Sequence, residues 1–220
     1  MDSGNLRSVN VGRIAEADWA GKLGRTAIDK RPVSGPVAVG PLGLDGDEQA
    51  DKKNHGGHDQ AVYAYAREEL DWWAEQLGRP LRDGVFGENL TIEGFEVTRA
   101  LLGERWRVGT TLLEVVSPRV PCAVFRNWLD EPAWVKRFTD EARTGAYLRV
   151  IEPGHLAAGD TVTVEYRPDH GIDLVSAFRA SPQRDIALLR RILDIPGRAQ
   201  EWERVFEKVQ RQVSRTSEAG

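Results

Sequence analysis

The chain has 220 residues, a formal net charge of −4 and one cysteine, so it can bury a full hydrophobic core but cannot form an internal disulfide framework. The acidic balance argues against nucleic acid as a partner, and no apolar run reaches the ~20 residues that a transmembrane helix needs. We therefore expect a cytoplasmic protein that acts on a small molecule, without a membrane or nucleic-acid partner.

Short β-rich runs, separated by Gly, Pro, Asp and Asn, occupy the first three quarters of the chain. Eight of them are predicted strands: VNVGRIAEA (9–17), PVAVG (36–40), AVYAY (61–65), NLTIEG (89–94), RWRVG (105–109), TLLEVV (111–116), AYLRVI (146–151) and TVTVEY (161–166). Two helices, predicted over 67–78 and 131–145, interrupt the series. This pattern favours a mainly β, barrel-like fold with a few peripheral helices over repeated βαβ units.

The pattern changes after Gly171, where apolar residues recur at helical spacing. Three short helices are predicted, over 172–180, 181–195 and 196–213. Ser181 followed by Pro182 predicts the start of the second helix, and residues 214–220 are expected to be frayed. The chain is therefore predicted to divide into two parts, a β-barrel domain over 1–170 and a small three-helix subdomain over 171–220.

A long polar and glycine-rich stretch, GLDGDEQADKKNHGGHDQ (43–60), precedes the strand AVYAY. Loops of this length in a compact domain are usually functional or disordered. His55 and His58 lie three residues apart, as zinc ligands can, but neither an HExxH nor a CxxC motif supplies further ligands at a readable spacing. Zinc is one alternative for this loop, and a turn or cap formed by His58 is another.

The single cysteine, Cys122, closes the stretch SPRVPC that follows the apolar run TLLEVV. Pro118 and Pro121 fix the backbone there and end the strand, and Arg119 between them can lower the pKa of the thiol. A lone cysteine is often a small buried hydrophobe, whereas a thiolate serves as a nucleophile or as a soft-metal ligand. The residues alone leave core packing, hydrolysis and metal binding open.

Cations with phosphate-binding character lie in two places. Lys30 and Arg31 belong to TAIDKRPV (26–33), and Ser117 and Arg119 belong to SPRVPC. Arginine and lysine suit a phosphate group, although the chain has neither a P-loop nor a GxGxxG motif. A nucleotide cradle of the usual kinds is therefore not expected.

Four stretches in order resemble the successive motifs of the MOSC domain, which is named for the C-terminal part of molybdenum-cofactor sulfurase. They are GLDGDEQADKKNHGGHDQAVYAY (43–65), FGENLT (86–91), GTTLLEVVSPRVPC (109–122) and TGAYLRVIEPG (144–154). The three-helix tail resembles that of the YiiM-like branch, bacterial proteins linked to resistance against N-hydroxylated purine bases. The resemblance runs from about residue 8 to about residue 210, and it implies a MOSC-type β-barrel that binds a molybdenum cofactor (Mo-molybdopterin).

The resemblance also assigns roles to individual residues. It implies that Cys122 ligates molybdenum, which is soft and thiophilic. Cofactor-binding roles are implied for Cys122, Lys30, Asp47, Glu48, Gln49, His55, Asn89, Ser117 and Arg119. Lys30 or Arg119 would hold the pterin phosphate through charge-assisted hydrogen bonds, and Asp47 or His55 would deliver protons. His58 receives no role.

The function implied is molybdenum-dependent reduction of N-hydroxylated compounds such as 6-N-hydroxylaminopurine, from N–OH to N–H. One cysteine cannot hold an iron–sulfur cluster, so electrons would come from a separate reductase, expected to be a flavoprotein. The C-terminal helices would either bind that partner or cover an open barrel edge. Two other classes stay open: a non-catalytic carrier of the cofactor or of sulfur on Cys122, and a plain ligand-binding barrel in which Cys122 packs.

Overall fold

The computed structural model describes residues 2–51 and 56–218. Within these ranges the strands are β1 (Ser3–Val11), β2 (Ala15–Glu16), β3 (Arg25–Thr26), β4 (Arg31–Pro32), β5 (Val37–Gly40), β6 (Gly43–Leu44), β7 (Val62–Ala66), β8 (Leu90–Glu93), β9 (Arg105–Val108), β10 (Thr111–Pro118), β11 (Ala146–Glu152), β12 (Gly154–Leu156) and β13 (Thr161–Tyr166). The α-helices are α1 (Arg67–Leu77), α2 (Ala123–Leu129), α3 (Trp134–Glu141), α4 (Leu174–Ala180), α5 (Ile186–Leu193) and α6 (Glu201–Glu218). Short 3-10 helices lie at Asp18–Leu23, His58–Gln60 and Val97–Arg99.

Seven strands close into a barrel in the order β13-β9-β10-β11-β7-β8-β1, and β1 pairs back with β13. The neighbours are antiparallel except β7 and β8, which run parallel. Closure leaves none of these seven strands as an open sheet edge. The predicted β-barrel with peripheral helices is confirmed, as a mixed α/β fold in which helices follow the barrel.

Two neighbours of β11 in the barrel are buried along their whole length. All eight residues of β10 are buried, and so are all five residues of β7. A second, aromatic cluster lies outside the barrel, where α1, α2 and α3 pack together around Trp73, Phe125 and Trp134. Burying side chains of this size supplies a large hydrophobic contribution to stability, so the segment after β10 has a fixed support.

The C-terminal helices pack against the barrel. Leu189 and Ile192 of α5 and Trp202 of α6 belong to the same apolar core as the barrel strands. Trp202 also donates a hydrogen bond from Nε1 to the Val116 carbonyl oxygen of β10 at 3.2 Å. The division of the chain near residue 171 stays a prediction. Among the described helices, none combines the length and the apolar character needed to cross a bilayer.

Several predicted element boundaries are wrong. Ser181 ends α4 instead of starting the next helix, because Asp185 caps α5 by accepting a hydrogen bond from the Leu188 amide at 2.9 Å. The helix predicted over 131–145 is shorter and ends at Glu141. Residues 214–218, predicted to lie beyond the last helix, belong to α6.

Candidate active site

A pocket of about 170 Å³ opens beside the N-terminus of α2. Among the residues that the structure describes, its lining includes six that the sequence singles out: Lys30, Glu48, Gln49, Asn89, Arg119 and Cys122. These residues come from four separate parts of the chain, which only the closed barrel brings together. The pocket is therefore the candidate site.

Cys122 lies where β10 ends and α2 begins. Its backbone is extended (φ −128°, ψ 171°), and it occupies the N-cap position of α2, where its carbonyl oxygen accepts a hydrogen bond from the Arg126 amide at 3.1 Å. The side chain is half-buried, packs against the aromatic cluster and lines the pocket. The rigid connection from β10 into α2 thus presents a thiol to the pocket.

Arg119 is a buried cation in the wall of the same pocket, with 6% of its surface exposed. Its guanidinium carbon lies 4.9 Å from the centre of the Tyr63 ring and 4.2 Å from the centre of the Phe125 ring. Nη1 donates a hydrogen bond to the Phe86 carbonyl oxygen. Aromatic faces stabilise a cation in this arrangement, so the guanidinium is held in one place.

The charge of Arg119 is stabilised by its surroundings. Burial lowers its pKa, but electrostatic interactions with Tyr147, Tyr63 and Cys122 outweigh burial, and the net pKa is raised. Burial conversely raises the pKa of Tyr147. The guanidinium therefore stays positive beside the thiol, as a group that binds an anion or stabilises a thiolate must.

Lys30 and Asp47 form a buried ion pair next to the pocket, with 9% and 2% of their side chains exposed. The Lys30 ammonium contacts both carboxylate oxygens of Asp47, which also accepts hydrogen bonds from the Gly12 amide at 2.8 Å and from Asn89 Nδ2 at 2.9 Å. Burial lowers the pKa of Lys30, and Asp47 opposes that shift. The charge of Lys30 is thus already compensated within the protein.

Glu48 and Gln49 lie on the more open side of the pocket. The side chain of Glu48 is 40% exposed, and a hydrogen bond of 2.7 Å from the Ile14 amide lowers its pKa. Gln49 lies so close to Gly56 that a Cβ at position 56 would meet its amide oxygen. Both residues line the pocket and offer polar groups there.

Of three further predicted or considered residues, two lie outside the pocket lining and one is not among the described residues. Ser117 is buried outside the lining, and its hydroxyl has no hydrogen-bond partner in the described part of the chain. His55 lies outside the described residues. His58 belongs to the 3-10 helix His58–Gln60 and is not among the residues that line the pocket.

Sequence reasoning missed two tyrosines of the lining. Tyr63 of β7 and Tyr147 of β11 are directly opposite each other in the antiparallel pairing, with ring centres 5.0 Å apart. Both strands could be predicted from the sequence. Their pairing could not, because it depends on the order of strands in the barrel. Gln60 and Arg25 also line the pocket without a sequence signal.

Glu88 stabilises the turn that contributes Gly87 to the pocket lining. It is fully buried, and its carboxylate accepts hydrogen bonds from the Gly84 and Phe86 amides and from the Thr91 hydroxyl. These bonds fold the turn that carries Gly87, whose φ of +76° suits glycine. Burial raises the pKa of Glu88 to about 7.

The donors present fit a molybdenum–pterin group. In the described part of the chain, no three His, Cys, Asp or Glu side chains converge as a metal site. Cys122 offers a soft sulfur ligand, which suits the thiophilic molybdenum of a pterin dithiolene. Arg119 suits a phosphate, and the amides of Gln49 and Asn89 suit a heterocycle.

Comparison with known proteins agrees with the motifs. The MOSC domain family matches residues 51–163. The protein YiiM of Escherichia coli is 31% identical over 187 residues, which cover 83% of this chain and 84% of YiiM. A protein of Gibberella moniliformis named "Reductase" is 33% identical over 189 residues, which cover 84% of this chain but 33% of the fungal protein.

A solved structure shows the same fold. YiiM from Geobacillus stearothermophilus superposes with a TM-score of 0.79 at 29% identity, covering 94% of this chain and 98% of that one. The similarity to this one structure thus extends over both the barrel and the C-terminal helices. The chain belongs to the MOSC domain family, in its YiiM-like branch.

Proposed function

We propose that this MOSC protein is an oxidoreductase that uses a molybdenum cofactor to reduce N-hydroxylated compounds such as 6-N-hydroxylaminopurine. The observation that carries the proposal is the presence of Cys122 and the buried guanidinium of Arg119 in the lining of one pocket. A soft thiol and a fixed cation are the two groups that a metal and a phosphate on one ligand require.

The net reaction converts R–NHOH, two electrons and two protons into R–NH₂ and water. The bound cofactor supplies the two-electron redox chemistry. Cys122 holds the metal, and Arg119 holds the pterin phosphate. Lys30 contributes less to the phosphate because Asp47 already neutralises it, and the pair instead supports the pocket wall.

Asp47 and His55 are the two predicted proton donors, and the hydrogen bonds of Asp47 bear on its role. Asp47 is surrounded by donors, from Lys30, Asn89 and the Gly12 amide, and is therefore held as an acceptor. The other predicted proton donor, His55, lies outside the described residues, and its role stays a prediction. Asp47 then orients Asn89 at the pocket.

The electrons come from a separate protein in this proposal. The chain has one cysteine, which is too few for an iron–sulfur cluster. The fungal protein named "Reductase" has about two thirds of its length outside the part similar to this chain. We propose a flavoprotein as that electron donor.

The test is turnover of 6-N-hydroxylaminopurine by the cofactor-loaded protein, with a chemically reduced viologen dye as electron donor and chromatographic detection of adenine. We expect adenine from the wild type and from a control variant, Tyr166→Ala, which removes an exposed ring outside the pocket lining. We expect none from Cys122→Ala. Undiminished turnover by Cys122→Ala would contradict the assignment of Cys122.

A further inference from the structure

A small hairpin covers one side of the pocket. Strands β2 and β3 pair only with each other, at Ala15 with Thr26 and Glu16 with Arg25, and form a two-stranded sheet separate from the barrel. We call residues 15–26 the covering hairpin. Its tip is the 3-10 helix Asp18–Leu23, which a non-helical Gly21 (φ 71°, ψ −147°) interrupts.

The covering hairpin supplies part of the pocket wall. Ala20 and Leu23 at its tip, and Arg25 and Thr26 in its second strand, line the pocket that Cys122 also lines. Leu23 remains 42% exposed, so the tip lies at the rim of the pocket. The position of the hairpin therefore contributes to the width of the approach to Cys122.

Two contacts fasten the tip to α2. The Trp19 ring stacks on the Trp128 ring with centres 5.8 Å apart and planes at 30°. Asn127 Nδ2 donates a hydrogen bond to the Trp19 carbonyl oxygen at 2.7 Å. Trp128 itself is anchored, because it packs against the aromatic cluster and donates from Nε1 to the Val85 carbonyl oxygen at 2.7 Å.

The two sides of this contact differ in rigidity. Helix α2 begins directly after Cys122 and packs on buried rings, whereas the hairpin has two residue pairs of its own and a tip in which Ala20 is buried but Trp19 and Leu23 are partly exposed. The Trp19 indole is 38% exposed, so its stacking on Trp128 is the main contact that keeps the ring in place. Loss of the ring should therefore free the hairpin and leave α2 in place.

We propose that Trp19 is a specificity-determining residue: by stacking on Trp128 it holds the covering hairpin against α2 and limits the size of molecule that reaches Cys122. For an enzyme of the proposed function, a small planar base would pass and a bulkier N-hydroxylated compound would not. This consequence rests on the proposed function, but the hairpin's effect on access to Cys122 does not.

The single cysteine makes access directly measurable. The full chain is produced in cells that make no molybdenum cofactor, and its alkylation rate is measured at one pH with a small reagent, iodoacetamide, and with a bulky one, fluorescein maleimide. The variants are Trp19→Ala, Asn127→Ala and Trp19→Phe, which keeps a ring. Tyr166→Ala is the matched control, and circular dichroism verifies folding of each protein.

For Trp19→Ala we expect the bulky reagent to react about fivefold faster than with the wild type, since one aromatic stacking contact is lost. Asn127→Ala should react faster in the same sense, and Trp19→Phe and Tyr166→Ala should stay within about twofold of the wild type on the same scale. Iodoacetamide should distinguish the proteins far less. A folded Trp19→Ala that reacts with the bulky reagent at the wild-type rate would overturn the proposal, as would Trp19→Phe reacting as fast as Trp19→Ala.

An incorrect role for Trp19 can be distinguished from an incorrect proposed function. The alkylation rates are read without cofactor or substrate, and the molybdenum content of the loaded protein is a separate measurement. A size-limited thiol in a protein that binds no molybdenum would support the role of Trp19 and refute the reductase.

Discussion

Asn89 Nδ2 donates a hydrogen bond to Asp47 Oδ2 at 2.9 Å, and the Lys30 ammonium contacts the same carboxylate. Asn89 also accepts a hydrogen bond from the Tyr63 amide at 3.1 Å, so one amide side chain joins the ion pair to a pocket-lining strand. On the polar side of the pocket, Lys30, Asp47 and Asn89 therefore form a buried hydrogen-bond network. The charges of Lys30 and Asp47 compensate each other within it.

Removing one partner of this ion pair should be costly. Asp47→Ala leaves the Lys30 ammonium buried without its carboxylate, and we expect the free energy of unfolding to fall by about 3–5 kcal/mol in urea denaturation. The double variant Lys30→Met/Asp47→Leu should recover most of that loss, because neither charge then remains.

Arg107→Gln is the control for this prediction. It breaks ion pairs with Glu152 and Glu165 that are half exposed, and it should cost no more than about 1 kcal/mol. If Asp47→Ala cost as little as Arg107→Gln, the Lys30–Asp47 pair would not be the support that we describe.

Glu88 should make stability depend on pH. Burial raises its pKa in the folded protein to about 7, above the ordinary value of 4.5, so the folded state binds the proton more tightly. The resulting stabilisation is complete below about pH 4.5 and is lost as the pH rises through about 7, a change of about 3 kcal/mol.

The measurement is urea unfolding of the wild type and Glu88→Gln at several pH values between 4.5 and 8. The difference in unfolding free energy isolates Glu88, because Glu69, whose pKa is also raised by burial to about 7, titrates in both proteins. We expect the wild type to lose stability relative to Glu88→Gln as the pH rises. A difference that is constant across this range would show that Glu88 is ionised throughout.

Arg119 should govern retention of the pterin. Replacing a charge-assisted contact to a phosphate by a neutral one weakens binding by about 10- to 100-fold, so Arg119→Gln should release most of its pterin during gel filtration. Pterin fluorescence after oxidation measures what remains. Lys30→Gln is the comparison, and equal losses in the two variants would contradict the distinction that we draw between these cations.

The C-terminal helices are predicted to be needed for folding. Because Trp202 and Ile192 share the apolar core of the barrel strands, deletion of residues 172–220 exposes that core. We expect the shortened chain to be recovered as aggregate. A soluble shortened chain that kept its cofactor, but lost turnover driven by a protein reductase, would instead make these helices the docking surface for that partner.

The strands and Cys122's place after β10 could be predicted because the information is local. TLLEVV is a continuous apolar run, and the prolines that follow it end the strand. Helix α2 was missed because AVFRNWL is short and its N-cap residue, Cys122, provides no side-chain cap. Ser181 and Pro182 are residue types typical of a helix start, but the N-cap of α5 is Asp185.

The pocket's internal contacts could not be predicted, because they join residues far apart in the chain. Lys30 looked like a phosphate ligand in its own segment, and only the folded chain brings Asp47 onto it. Tyr147 lies opposite Tyr63 through the pairing of β7 with β11, which sequence periodicity does not specify. Residue types and motif order indicated the site, while its charge balance required the three-dimensional arrangement.

The most direct test of the central claim is the molybdenum and pterin content of the protein from cofactor-sufficient cells, by elemental and mass analysis, with Cys122→Ala and Cys122→Ser beside the wild type. The account predicts close to one molybdenum per wild-type chain and little or none in either variant. Molybdenum absent from the wild type even after reconstitution with free cofactor, or retained in full by both variants, would contradict it.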